Sequence, residues 1–172
     1  MASKTIPYPD AIHRAGERAV RQAMDEFKQT QIILFRKEEE EKKKRKDAEE
    51  NLATTIIAME RAALEEWNRG NPTGYLDIYA EDITYFDPIQ RINGVEKIKE
   101  LYESIRGQVQ VEKYEIIDPV VQISGKTVVL GYNLVSCSGE KIYHWNCTEV
   151  YQQRPDTQWK IIHSHWSLGK TE

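Results

Sequence analysis

The stretch from Trp67 to Tyr102, WNRGNPTGYLDIYAEDITYFDPIQRINGVEKIKELY, constrains the fold more than any other part of the chain. A helix ends at Trp67-Asn68-Arg69-Gly70, and a short helical turn carries Tyr75, Leu76, Ile78 and Tyr79. The acidic turn Ala80-Glu81-Asp82 leads into a strand, Ile83-Thr84-Tyr85-Phe86-Asp87. Pro88 has no N–H for a ladder and stops it. Asn93-Gly94 opens a second helix, about Val95 to Arg106, with Val95, Ile98, Leu101, Tyr102 and Ile105 on one face. Gly107 is a natural helix stop.

Upstream, the pattern is helical almost throughout. Pro7 and Pro9 mark a start, with Asp10 as the N-cap. Ile12, Ala19, Ala23, Phe27 and Leu34 recur at roughly helical intervals. In the block Arg36 to Lys46, each of Glu38 to Glu41 has Lys or Arg four residues later. Such pairs stabilise a solvated helix by about 0.2–0.5 kcal/mol each. Heptads are not sustained, so a coiled coil is not expected. From Leu52 the stripe Leu52, Ile56, Met59, Ala63 and Trp67 resumes, which places a boundary near residue 52. The expected organisation is a helical extension over 1–51 and a domain over 52–172.

After Gly107 the hydrophobic period changes from helical to two. Strands are expected over Val109 to Ser124 with a bend at Asp118-Pro119, Thr127 to Ser138, Lys141 to Gln152, and Trp159 to Leu168. Short turns between them describe an antiparallel meander. Helices first and sheet second make an α+β fold.

The net charge of −4 argues against nucleic acid as the main partner, because phosphate binding needs a concentrated positive face. No stretch approaches the roughly 20 apolar residues of a membrane span, and none resembles a signal peptide. Cys137 and Cys147 are too few for a disulfide framework. A cytoplasmic protein is the expectation. Neither a glycine-rich nucleotide loop nor a catalytic triad has a signature here.

Two motifs carry a family resemblance. The string Ala80-Glu81-Asp82-Ile83-Thr84-Tyr85-Phe86-Asp87-Pro88 is similar to the helix end, acidic turn and strand of ketosteroid isomerase. Thr148-Glu149-Val150-Tyr151 with Trp159-Lys160-Ile161-Ile162-His163-Ser164-His165-Trp166-Ser167 more closely resembles the association-domain group related to the hub of calcium/calmodulin-dependent kinase II. Both point to the nuclear-transport-factor-2-like superfamily, including its SnoaL-like members, over about residues 52–169. The resemblance implies a cone: a curved antiparallel sheet and helices enclosing one pocket. It also implies pairing through the sheet, hence a homodimer.

Asp87 falls on the isomerase's catalytic carboxylate. A carboxylate in an apolar cup could act as general base on an acidic C–H; a turn residue before Pro88 is the plain structural alternative. The isomerase's oxyanion donors are not matched, since their positions fall on Ala63 and near Cys147 or Thr148. Ketosteroid isomerisation itself is therefore not expected. Trp67, Tyr79 and Trp166 are candidate pocket residues by family position, and Tyr85 by its place beside Asp87. Asn133, Thr148 and His165 complete the substrate-binding set. His144, His163 and His165 are a candidate three-imidazole set, but the family pattern has this His-x-His without a metal, and no metal or cofactor is expected. The implied function is binding of a small apolar or aromatic molecule by a cofactor-free isomerase, cyclase or dehydratase-type enzyme. The alternative is a non-enzymatic association module.

Overall fold

The computed structural model describes residues 9–109 and 111–169, with side chains from residue 14 onward. The helices are α1 (Pro9–Asn68), α2 (Thr73–Ile78) and α3 (Val95–Ser104). The strands are β1 (Tyr79–Phe86), β2 (Arg91–Asn93), β3 (Lys113–Ser124), β4 (Thr127–Ser138), β5 (Lys141–Gln153) and β6 (Trp159–Leu168). Two compact units divide the chain between Ala48 and Glu49. Pro7 lies outside the described residues; Pro9 opens α1, so Asp10 sits inside the helix and not at its cap.

The first unit is helical, and its described side chains are all exposed. The charged block continues the helix without a break, and Lys42 pairs with Glu39 at 2.9 Å, three residues away. Val20, Met24 and Phe27 are each more than half exposed.

In the second unit six strands form one curved, unclosed sheet in the order β2-β1-β6-β5-β4-β3. β3 to β6 form the expected antiparallel meander. The sheet is nevertheless mixed, because β1 lies parallel to β6, with Tyr85 beside Ser164 and Phe86 beside His165. These two strands are joined through most of the unit, so no tight turn dictates an antiparallel pairing. β2 is a three-residue strand against β1 that sequence periodicity did not show. The first long strand begins at Lys113, not Val109. The chain before it ties to helix ends instead: Gly107 N–H donates to Gly70 O at 2.8 Å and Val111 N–H to Asn68 O at 3.3 Å. The expected bend is a bulge: Asp118 takes φ 46° and the ladder is interrupted between Ile117 and Val120.

Alternation along the strands gives the sheet a buried face and an open one. Ile83, Val128, Leu130, Tyr151 and Ile161 point to the buried face and meet Ile56 and Leu64 of α1 and Ile98 of α3 in one core cluster. Each of these is at most 1% exposed. Burial at that level contributes roughly 1.5–3 kcal/mol per aliphatic side chain. The cluster stops short of one end of the sheet, and there a cavity remains.

Candidate functional site

The cavity has a volume of about 630 Å³. The C-terminal turns of α1 supply Leu64, Trp67 and Asn68; α3 supplies Leu101 and Tyr102; the inward faces of β4, β5 and β6 supply Leu134, Ser136, Trp145 and Trp166. Tyr85, Asp87 and the turn Pro88 to Gln90 form its edge beside β1. Its aromatic walls are packed ring against ring. Trp67 and Tyr102 have centroids 4.7 Å apart, Tyr85 and Tyr102 6.0 Å, and Trp145 and Trp166 6.1 Å.

Asp87 is half-buried just beyond β1. Its Oδ1 accepts the backbone N–H groups of Ile89 and Gln90, both at 2.8 Å. Its Oδ2 meets only the Gln90 side-chain amide, at 3.3 Å. One oxygen therefore shapes the turn and the other is the freer. Tyr85, two residues earlier on the same face, is 8% exposed. Burial pushes its phenol far up, so the O–H keeps its proton and stays a donor. Behind it, the Tyr79 and Tyr102 hydroxyls lie 3.1 Å apart.

Two carboxyls are fully buried behind the cavity wall. Glu60 of α1 accepts the hydroxyls of Tyr75 at 2.7 Å, Tyr132 at 2.6 Å and Tyr151 at 2.7 Å. Glu149 of β5 takes Ser164 at 2.9 Å and Trp166 Nε1 at 3.0 Å on Oε1. Its Oε2 is buried with no hydrogen-bond partner among the described residues. Burial pushes Glu149 well above the usual carboxylate range, and the neighbouring Glu60 pushes it further. Burial also raises Glu60, but its three phenol donors oppose that. Of the two, Glu149 is therefore pushed further toward keeping its proton, and Glu60 is the better placed to carry negative charge.

Of the sequence-derived candidates, Trp67, Tyr85, Asp87 and Trp166 come together around this cavity. Tyr79 is buried one layer behind it, against Tyr102 and Tyr75. Asn133, Thr148 and His165 do not line it. Tyr132 and Cys147 take the inward positions, so their neighbours Asn133 and Thr148 face out, and His165 pairs with Thr148 on that outer face. Asn133 spends its amide on Asn146, at 2.8 Å. His163 also faces out, with Nδ1 2.6 Å from Thr84 Oγ1. No group of three His, Cys, Asp or Glu side chains suited to a metal ion forms among the described residues. Glu60 and Glu149 were missed by sequence reasoning, although a signal existed. Glu60 lies four residues from Ile56 of the apolar stripe and four from Leu64, and Glu149 shares strand parity with Cys147 and Tyr151.

The chain matches the SnoaL-like domain over residues 61–161. A crystal structure from Parabacteroides distasonis, described as a candidate ketosteroid isomerase, is 38% identical; the match covers 67% of this chain and 86% of that one, with a TM-score of 0.61. An NTF2-like protein of unknown function from Pseudomonas putida is 20% identical over 70% of this chain and 89% of its own, with a TM-score of 0.62. The CaMKII hub of S. rosetta is 18% identical over 67% and 95%, with a TM-score of 0.55. The latter two likenesses show the fold alone. Comparison with curated proteins gave no match. The chain belongs to the SnoaL-like family, within the nuclear-transport-factor-2-like superfamily.

Proposed function

We propose that this protein binds a small apolar or aromatic molecule in the cavity and acts on it without a cofactor, as an isomerase, cyclase or dehydratase-type enzyme. The observation that carries this reading is the position of Asp87, a carboxylate at the edge of an aromatic-walled space of about 630 Å³. Such a space is the size of a small-molecule site. Asp87 Oδ2 would take a proton from a C–H acid, and the Tyr85 O–H would donate to the oxygen on which charge develops. The P. distasonis relative supports a reaction of this class, and the isomerase's own donors are not matched at Ala63 or near Cys147 or Thr148, which argues for a different substrate.

Asp87→Asn keeps an oxygen for the two turn N–H groups and removes the base. With any compound that the protein turns over in a metabolite screen, kcat is expected to fall about 10²–10⁴-fold while neutral ligands still bind. A fully active variant excludes the role.

One observation favours a second reading, the non-enzymatic association module: Asp87 Oδ1 already serves the backbone of its turn. A single stable oligomer with no thermal-shift response to any ligand would support that module. In either case we propose that two copies pair through the outer sheet face, as the family resemblance implies.

A further inference from the structure

The cavity's charge pattern narrows its ligand, given that it is a ligand site as proposed above. Among the described residues that line it, Asp87 is the only ionic one, and none is Lys, Arg or His. Seven aromatic side chains line it, among them Trp67, Tyr85, Trp145 and Trp166. Several of the polar tips on these rings are committed to the protein. Tyr75 O–H donates to Glu60, Trp166 N–H to Glu149, and Trp145 N–H to Ser136 at 3.2 Å. The two rim glutamines are committed too: Gln90 Nε2 donates to Asp87 and Gln108 Nε2 to Ser104 O at 2.8 Å. An anion entering this space would find the Asn68 amide, whose Nδ2 is buried without a partner among the described residues, and the Tyr85 O–H, but it would also face the Asp87 carboxylate and lose its water. A cation would find ring faces, whose quadrupoles attract it, and Asp87 Oδ2, held only by Gln90 Nε2 at 3.3 Å.

We propose that the cavity is a site for a hydrophobic amine: a small molecule with an aromatic or alicyclic body and a protonated nitrogen. The body lies among Trp67, Trp145 and Trp166. The ammonium sits at the edge, against Asp87 Oδ2, which carries only the long 3.3 Å contact from Gln90 Nε2; toward such a ligand Asp87 is the counter-ion and not the base. The site discriminates against carboxylates and phosphates of the same shape by setting their charge against that of Asp87.

Calorimetric titration of the full chain with three matched probes tests this: 2-(1-naphthyl)ethylammonium, 2-(1-naphthyl)ethanol and 1-naphthylacetate. The ammonium is expected to bind roughly tenfold or more tighter than the alcohol, and the carboxylate weakest. In Asp87→Asn, whose fold is checked by circular dichroism, the advantage of the ammonium over the alcohol should shrink and alcohol binding persist. Equal binding of ammonium and alcohol, or tighter binding of the carboxylate, overturns the amine assignment while leaving the cavity as a ligand site. An undiminished ammonium preference in the variant also overturns it, because Asp87 would not be the anchor. Absence of binding by all three at millimolar concentration overturns both this inference and the small-molecule reading beneath it.

Discussion

Glu149 sits with one carboxyl oxygen between Ser164 and Trp166 and the other facing protein with nothing to accept. An ionised carboxylate left so would cost several kcal/mol, whereas a protonated one does not carry that charge. Its pKa in the folded chain is raised above the ordinary value of 4.5. Below 4.5 both folded and unfolded chains hold the proton, and this group contributes no pH dependence. Above it the unfolded chain releases the proton while the folded chain keeps it. Stability therefore falls as pH rises from 4.5 toward the folded value. Glu149→Gln keeps an acceptor for Ser164 and Trp166 and cannot ionise. The denaturation midpoint of the native chain should drop between about pH 5 and pH 8, and that of the variant should drop less. Superimposable profiles would place the proton elsewhere. At this scale sequence reading was uneven. Trp67 and Trp166 could be found by family position, and Tyr85 because an aromatic beside Asp87 supplies apolar surface. Asn133, Thr148 and His165 could not be placed, since strand parity fixes which residues share a face but not which face is covered. Neither buried glutamate could be assigned from charge alone, because its partners are phenols and an indole on other elements.

The ends of α1 and α3 meet through backbone, and that junction closes one side of the cavity. Gly70 adopts φ +75°, and a Cβ there would lie 2.9 Å from Gly107 Cα and 3.0 Å from Val109 O. Asn71 ties the same junction: its Oδ1 accepts Arg106 Nη1 at 2.5 Å and Thr73 N–H at 3.1 Å. Gly107 also has a left-handed φ, +76°, but a Cβ there would meet nothing within 4 Å. Gly107→Ala should therefore cost only the left-handed strain, about 1–2 kcal/mol. Gly70→Ala adds a backbone collision and should cost about 2–4 kcal/mol. It should also weaken ligand binding, because Gln108 and Val109 line the cavity. Urea denaturation of the two variants side by side measures the difference; equal losses would mean that close approach is not the constraint. The meander was readable to the residue for Thr127–Ser138, where alternation and the turns at Gly125 and Gly139 agree, and for Trp159–Leu168, which the turn Arg154 to Thr157 precedes. The β1·β6 pair was not, because parallel pairing is a long-range choice with no local turn to announce it.

For the unit from Glu49 onward, the sheet is the wall of the cavity on one face and an open surface on the other. Val129, Val150, Thr148 and Phe86 lie on the outer face, half-buried and outside the core cluster. Val129 pairs with Val150 and Val150 with His163, so these residues form a continuous band across β4, β5 and β6. A second copy laid on this band would remove apolar surface from water at roughly 25 cal/mol per Å² before the cost of association. A lysine at the centre of such an interface would meet its own symmetry mate, and like charges brought together there oppose pairing. Val150→Lys should convert a dimer to a monomer in sedimentation velocity while far-ultraviolet circular dichroism stays unchanged, because the substituted side chain points away from Tyr151, Glu149 and the core. A native chain that sediments as a monomer at tens of micromolar, or a variant that remains dimeric, would show that this face is not where the copies meet.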